Sequence, residues 1–205
     1  MNKYNFSKSV RFLKYGRKCT PNYIEININI EIEIKSPMIT KLCMPDYNVY
    51  TEKKNKKPNA KDQNLRSAGF HIHLGYDHPT VQESLRMIKL LDIFLGIPSV
   101  IIDPDKKRRE LYGKAGAFRL TAYGCEYRTL SSYMMSKDSI LNLVWDLLVL
   151  AVNYVGLPEL FDKNQIQHII NESDVEKAKK FLNEFEYLHK SNLKTVKNFL
   201  ETFEV

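Results

Sequence analysis

Two histidines separated by one residue, His71 and His73, lie in the apolar stretch GFHIHLGY. Side chains two residues apart on a β-strand project to the same face, so we expect both imidazoles on one face and Ile72 and Leu74 on the other. Neutral imidazoles bind divalent metals, and imidazoles also contact phosphate oxygens. A pair of histidines on a solvated sheet face has the same spacing, so the pattern alone leaves both interpretations open.

A carboxylate and two guanidinium groups form the second candidate set, in the stretch FRLTAYGCEYRTL. Glu126 and Arg128 have the same two-residue spacing, and Arg119 lies one predicted strand earlier. Such a set is commonly a structural ion pair. The functional interpretation is a metal-binding carboxylate beside arginines that bind phosphate, because a guanidinium stays charged and binds oxyanions through two hydrogen bonds.

A run of cations lies in the stretch DPDKKRRELYGKAGAFR. It contains four consecutive basic residues, 106–109, and Lys114 follows between two glycines. The run is typical of a solvated surface, and the alternative is a loop that closes over a polyphosphate. The stretch has no GxxxxGK[ST] pattern, so it is not a P-loop. We interpret the five lysines of residues 51–64 as surface residues.

Three stretches have the patterns of β-strands. In residues 24–35, isoleucines alternate strictly with polar residues, which predicts a strand with one buried face. Residues 69–76 predict a second strand, which carries the two histidines. Residues 117–132 predict a strand, a turn near Gly124 and another strand.

Helical patterns dominate the rest of the chain. Thr80 and Glu83 have capping-box spacing before an apolar stripe that reaches Leu95, and Gly96 and Pro98 are predicted to end this helix. Residues 99–116 are predicted to form a polar loop. Helices are predicted over 140–154, after a second capping box at Ser173, and near the C-terminus. Strands followed mostly by helices favour an α+β fold with an antiparallel sheet. We expect a single domain over 1–205, with 22–135 mainly sheet and loops around one helix and 137–205 mainly helical.

Composition excludes several classes of protein. The net charge of +7 is compatible with nucleic acid or nucleotide phosphates as ligands, although lysine-rich surfaces are common. Cys19, Cys43 and Cys125 are an odd number of widely spaced cysteines, which favours reduced thiols and a cytoplasmic protein. The charged N-terminus does not resemble a signal peptide, and the longest apolar run, 147–152, is too short to span a bilayer.

Five segments, taken in order, resemble a known family: PDYNVYT, KPNA, NLRSAGFHIHLGYD, LYGKAGAFR and YGCEYRTLS. Over about residues 43–160 they look like the phage-type carboxylate–amine ligases, or amidoligases, of the glutamine synthetase and glutamate–cysteine ligase superfamily. The resemblance implies an antiparallel, partly barrel-like sheet with helices packed outside, a glutamine synthetase-like catalytic fold. It also implies an ATP-dependent reaction, in which a carboxylate attacks the γ-phosphate and an amine then displaces phosphate from the acyl phosphate.

The resemblance also implies roles for individual residues. His71 and Glu126 would hold a Mg²⁺ or Mn²⁺ ion that bridges the phosphates of ATP. Arg119 and Arg128 would neutralise the transferring phosphoryl group, in a reaction that depends on positioning and charge. Further contacts to ATP or substrate would come from His73, Arg66 and Lys114.

The sequence departs from the superfamily pattern near its N-terminus. Family members usually begin with a strand that carries paired glutamates as further metal ligands, and Glu31 and Glu33 lie where a later strand is expected. We therefore expect an N-terminally shortened chain whose site is completed by a homo-oligomer or a partner chain. Its substrates would be small-molecule or peptide carboxylates and amines in the cytoplasm of a bacterial host. The alternative is a catalytically inactive derivative that binds a nucleotide, nucleic acid or a host protein.

Overall fold

A four-stranded antiparallel sheet organises the N-terminal half of the described chain. The computed structural model describes residues 9–14, 22–27, 46–55, 69–76 and 78–205. The strand order is β3 (Tyr47–Asn48), β5 (Ala117–Thr121), β6 (Gly124–Tyr127) and β4 (Ile72–Gly75). A separate antiparallel ribbon consists of β1 (Ser9–Lys14) and β2 (Asn22–Asn27), and β2 contacts β4. The α+β class and the antiparallel sheet are confirmed; the described strands form an open sheet, and its closure into a barrel stays a prediction.

The strand predictions agree with the structure wherever it describes the residues. Ile72 and Leu74 are fully buried, as expected for the apolar face of the histidine-bearing strand. The turn between β5 and β6 ends at Gly124, whose φ of 148° suits glycine. Of the alternating stretch, β2 covers the beginning, and residues 28–35 lie outside the described residues. The strand β1 was not predicted, because residues 1–20 lack an alternating pattern.

One long helical segment packs against the sheet, and the prediction that it ends at Gly96 is wrong. It consists of α1 (Val81–Leu91), a π-helical turn (Asp92–Gly96) and α2 (Ile97–Ile102), and the Thr80–Glu83 capping box is confirmed. A Cβ atom on Gly96 would lie 2.8 Å from the Tyr127 hydroxyl, so glycine is needed here for close packing and does not stop the helix. Pro98 lies in the first turn of α2, directly after the wider π-helical turn, where a missing N–H is tolerated.

The polar loop predicted over residues 99–116 is partly helical. Its helix α3 (Lys106–Leu111) starts at Asp105, whose side chain accepts a hydrogen bond from the backbone N–H of Arg108 at 3.1 Å. The cation run hid this helix, since consecutive charges have no amphipathic period. A short helix therefore positions residues that were predicted to lie in a polar loop.

The C-terminal half is helical, as predicted. The second capping box is wrong in one residue: Ser173 ends α5 with a φ of 51°, and Asp174 caps the next helix. Its helices are α4 (Asp138–Asn153), α5 (Lys163–Glu172), α6 (Val175–Glu184), α7 (Glu186–His189) and α8 (Lys194–Thr202).

The hydrophobic core lies between the sheet and the long helical segment, and it continues between that segment and α4, α5 and α6. Cys125 is a free, buried thiol within this core, as expected of a reduced cysteine, whereas Cys19 and Cys43 lie outside the described residues. Among the helices that the structure describes, none is both long and apolar enough to cross a bilayer. The assignment of residues 1–205 to one domain stays a prediction.

Candidate active site

One face of the sheet carries a row of polar side chains from three strands. The strand register places His73 of β4 opposite Glu126 of β6, and Glu126 opposite Arg119 of β5. His71 lies two residues before His73, and Arg128 lies two residues after Glu126, so both share this face. The structure thus brings five of the predicted site residues together, and we call these five the sheet-face cluster.

Glu126 is the centre of the sheet-face cluster and is only 5% exposed. Its Oε1 atom lies 3.1 Å from Nδ1 of His71 and accepts a hydrogen bond from Nη1 of Arg128. Its Oε2 atom lies 3.8 Å from Nη1 of Arg119. Both carboxylate oxygens therefore face positively charged or hydrogen-bonding groups, as a buried carboxylate requires.

The electrostatics of the cluster keep Glu126 ionised. Burial by itself raises the pKa of this carboxyl, but the hydrogen bond from His71 and the charge of Arg128 outweigh burial and lower the pKa from 4.5 to about 2. For Arg128, burial lowers the pKa of the guanidinium, and the nearby Tyr112 and Glu126 more than offset this and raise the pKa. The pair is therefore ionic at any pH at which the protein is expected to work.

Two further residues surround the cluster and were not predicted. Oδ2 of Asp46 lies 3.9 Å from Nε of Arg128. The Tyr112 hydroxyl lies 2.9 Å from Nε2 of His71, and the centre of the Tyr112 ring lies 5.6 Å from the guanidinium carbon of Arg128. Both residues belong to stretches that carry the family resemblance, PDYNVYT and LYGKAGAFR, so the signal was present but did not indicate these side chains.

The exposed side of the cluster is formed by His73 and Arg119. His73 is half-buried, and its Nδ1 atom lies 2.7 Å from the hydroxyl of the exposed Tyr123. The Arg119 side chain is 24% exposed, compared with 3% for Arg128. A ligand that approaches from solvent would therefore meet His73 and Arg119 first, with Glu126 and Arg128 behind them.

Two predicted ligand contacts are not part of the cluster as described. Arg66 lies outside the described residues. Lys114 is exposed and its charge acts on Glu172 of α5, while its carbonyl oxygen accepts a hydrogen bond from the Thr129 hydroxyl at 3.0 Å. The contacts that the structure describes for the cluster do not include the Lys114 side chain.

Two members of the cation run are buried: the interpretation as a solvated surface holds for the exposed Lys106 and Lys107 and is wrong for Arg108 and Arg109. Arg108 donates hydrogen bonds to the carbonyl oxygens of Thr129 and Leu130, at 3.2 and 2.6 Å. Arg109 is 2% exposed and donates to the Ser99 hydroxyl at 3.2 Å. These guanidinium groups are neither solvated nor part of a loop over a ligand, because backbone carbonyls and a buried hydroxyl accept their hydrogen bonds.

The described residues do not fit a Mg²⁺ or Mn²⁺ site by themselves. Mg²⁺ takes six oxygen ligands, of which water and ATP phosphates can supply several, and the cluster offers one carboxylate, which also pairs with Arg128. Both ring nitrogens of His71 are engaged, one with Glu126 and the other with Tyr112. Across the described ranges, no three His, Cys, Asp or Glu side chains are placed to share a metal ion. Metal binding by His71 and Glu126 therefore stays a prediction that requires further ligands.

The fold and the cluster define an α+β protein with a polar site on one sheet face, in which a buried carboxylate contacts guanidinium and imidazole groups. A family model, described as phage phiEco32-like COOH.NH2 ligase-type 2, matches residues 61–202. This range is more than half of the chain, and the chain belongs to this family of carboxylate–amine ligases. Comparisons with the curated proteins and with the solved structures found no match.

Proposed function

We propose that the protein is an ATP-dependent carboxylate–amine ligase with a glutamine synthetase-like mechanism. The carboxylate of one substrate attacks the γ-phosphorus of ATP and ADP leaves; the amine of a second substrate then attacks the acyl carbon, and phosphate leaves. Membership of the ligase family supports the class of reaction. One structural observation carries the proposal: the register that places His73, Glu126 and Arg119 side by side on one sheet face.

The proposal gives the positive groups of the cluster the task of binding oxygen atoms that carry negative charge. Nη1 of Arg119 lies 3.8 Å from Oε2 of Glu126, and the partly exposed guanidinium is placed where a phosphoryl or carboxylate oxygen that reaches the cluster would contact it. His73 stands beside it as a second contact. Phosphoryl transfer depends mainly on such positioning and charge neutralisation, so partly exposed cations on a rigid sheet suit it.

Glu126 has a role in placing charge in this proposal, and it is not the proton acceptor. A carboxylate with a pKa of about 2 is a weak base near neutral pH, where an effective general base has a pKa close to the working pH. Glu126 instead holds Arg128 and His71 in place. The proton released by the attacking amine must therefore be accepted by another group or by water.

Mg²⁺ or Mn²⁺ is the counter-ion that would accompany ATP in this proposal. Small-molecule or peptide carboxylates and amines are the proposed substrates. A homo-oligomer or a partner chain that completes the site is also part of the proposal, because the described residues supply too few metal ligands.

The decisive experiment measures ADP release and amide formation with pools of amino acids and short peptides, in the presence of Mg²⁺ or Mn²⁺. Glu126→Gln and Arg119→Gln should each lower turnover by about a hundredfold or more, since both alter the charge at the cluster. Lys106→Gln is the matched control, because Lys106 forms an exposed ion pair with Glu172 at 2.8 Å outside the cluster. Wild-type turnover no higher than that of Glu126→Gln would contradict the proposal.

A second function is favoured by the shortage of metal ligands among the described residues. In this alternative the chain binds a nucleotide, nucleic acid or a host protein without catalysis. Calorimetry with ATP and Mg²⁺, and a nucleic-acid binding assay at two salt concentrations, would distinguish the two functions. ATP binding that is lost in Arg119→Gln, without any turnover, would favour the binding function. Nucleic-acid binding that disappears at modest salt would indicate only nonspecific attraction.

A further inference from the structure

Tyr112 contacts two members of the sheet-face cluster at once. Its hydroxyl lies 2.9 Å from Nε2 of His71, and the centre of its ring lies 5.6 Å from the guanidinium carbon of Arg128. Nδ1 of His71 lies 3.1 Å from Oε1 of Glu126 and 3.3 Å from Nη1 of Arg128. The carboxylate can only accept and the guanidinium can only donate, so the hydrogen bond to Glu126 requires the tautomer with its hydrogen on Nδ1. In the neutral ring, Nε2 is then the acceptor for the Tyr112 hydroxyl. The tyrosine therefore constrains the orientation of the His71 ring at the end opposite Glu126.

Two glycines, Gly113 next to Tyr112 in the chain and Gly69 next to it in space, allow the close packing around this tyrosine. Gly113 has a φ of 77°, and a Cβ atom at this position would lie 2.6 Å from the Thr129 carbonyl oxygen and from the Arg108 guanidinium. At the start of the histidine strand, a Cβ atom on Gly69 would lie 2.8 Å from Nε2 of His71. These two glycines allow the loop after α3 and the start of the histidine strand to come close enough for the tyrosine to reach the histidine.

A second arginine, Arg108, also contacts the Tyr112 ring. The guanidinium carbon of Arg108 lies 5.9 Å from the centre of the Tyr112 ring. Arg108 is itself bonded to the carbonyl oxygens of Thr129 and Leu130, which directly follow Arg128 in the chain. The segment that was predicted to be a polar loop is thus hydrogen-bonded to the residues that follow β6. The Tyr112 ring is in contact with both Arg108 and Arg128.

We propose that Tyr112 is a positioning residue of this site, whose hydroxyl orients His71 and whose ring supports Arg128. Its effect on turnover rests on the proposed ligase function, whereas its effects on the His71 ring and on anion binding do not. The two contacts are chemically separable. Tyr112→Phe removes only the hydroxyl, and Tyr112→Leu also removes the aromatic ring.

The first test compares these variants with Tyr133→Phe and Tyr133→Leu, which change an exposed tyrosine outside the cluster. Inorganic tripolyphosphate is the binding probe, measured by calorimetry. Tyr112→Phe should bind it within about twofold of the wild type, and Tyr112→Leu should bind it about tenfold more weakly, because a cation–π contact to Arg128 is lost. Equal affinities in both Tyr112 variants and the wild type would overturn the role of the ring.

The second test follows the hydroxyl. In ¹⁵N spectra at one fixed pH, the Nε2 resonance of His71 should shift in Tyr112→Phe and stay unchanged in Tyr133→Phe. If the wild type turns over, Tyr112→Phe should also lower kcat by about 10- to 100-fold with KM little changed. An unchanged Nε2 resonance would overturn the role of the hydroxyl, as would an unchanged kcat in an active enzyme. A wild type without turnover would instead contradict the ligase function, and the resonance would still decide the inference.

Discussion

Two buried carboxylates, Glu126 and Asp92, lie on opposite sides of the same sheet and are stabilised in opposite ways. Glu126 points to the face that carries the cluster, where cations surround it. Asp92, in the π-helical turn, faces the side of Tyr127 and is fully buried. It accepts hydrogen bonds from the hydroxyls of Tyr127 at 2.8 Å and Tyr50 at 2.9 Å, and from the backbone N–H of Gly116.

The difference shows how the kind of donor decides the charge of a buried carboxyl. Burial raises the pKa of Asp92 from 3.8 to about 7, and hydrogen bonds from the tyrosine hydroxyls only partly oppose this. The pKa of Glu126 is lowered to about 2, because a hydrogen bond from His71 and the positive charge of Arg128 outweigh burial. Hydroxyl donors make Asp92 a structural junction between the helix and the sheet. The cationic donor Arg128 and the hydrogen bond from His71 keep Glu126 an anion near neutral pH, where it holds these side chains in place.

Removal of the cation from the Glu126 side should have the largest effect. We expect Arg128→Ala to lower the free energy of unfolding by about 3–5 kcal/mol, because Glu126 would remain as a buried charge without its main partner. Turnover and tripolyphosphate binding should be lost with it. Urea unfolding at pH 7 measures the change, with Lys106→Ala as a control that removes an exposed, solvent-screened charge and should leave the free energy of unfolding nearly unchanged. A loss in Arg128→Ala as small as in this control would contradict the ionic description of the site.

The pH dependence of stability should differ in sign between the two carboxyls. The pKa of Asp92 in the folded protein lies above its unfolded value. Its contribution to the free energy of unfolding is therefore fully present below pH 3.8 and is lost as the pH rises through about 7. The folded pKa of Glu126 lies below its unfolded value, so its contribution is present above pH 4.5 and is lost as the pH falls through about 2. The free energy of unfolding of Asp92→Asn should therefore rise by about 3 kcal/mol relative to that of the wild type as the pH increases from about 4.5 to about 8.

Glu126→Gln provides the opposite arm of the same measurement. The free energy of unfolding of this variant should rise by about 2–3 kcal/mol relative to that of the wild type as the pH falls from about 5.5 to about 2.5. Urea unfolding over the pH series, in buffer that contains a chelator, gives both differences. If both variants follow the wild-type curve in parallel, the two environments do not set the charges as described.

Arg119 should have the smallest effect on stability and a clear effect on ligand binding. Its side chain is 24% exposed and 3.8 Å from Glu126, so Arg119→Gln should change the free energy of unfolding by less than about 1 kcal/mol. Tripolyphosphate binding should nevertheless weaken about tenfold, because a charged hydrogen-bond donor is removed. Unchanged binding in a stable variant would show that the ligand does not contact Arg119.

The cluster could be predicted to the extent that it follows from local patterns. Two-residue spacing put His71 with His73, and Glu126 with Arg128, on common faces. The turn before Gly124 then fixes which residues of β5 and β6 are opposite, and it pairs Arg119 with Glu126. These relations depend only on strand geometry and on a short turn, so they can be read from the chain.

The surroundings of the cluster could not be predicted in the same way. Asp46 and Tyr112 reach Arg128 from distant segments of the chain, and no local period indicates such a contact. The cation run looked solvated, but Arg108 and Arg109 are buried because carbonyl and hydroxyl oxygens from other segments accept their hydrogen bonds. Gly96 looked like a helix end, although it is needed where the helix passes close to Tyr127.

The sequence by itself therefore determined the α+β class, the strand that carries the two histidines and the pairs of residues that share a face of one strand, since periodicity and turns are local properties. Only the tertiary structure decided the state of each buried charge. Glu126 is held ionised by His71 and Arg128, and the pKa of Asp92 is raised to about 7 in its own buried site. The physical reason is that the pKa of a buried group depends on the donors and the exclusion of water around it, and these come from parts of the chain that are far apart in sequence.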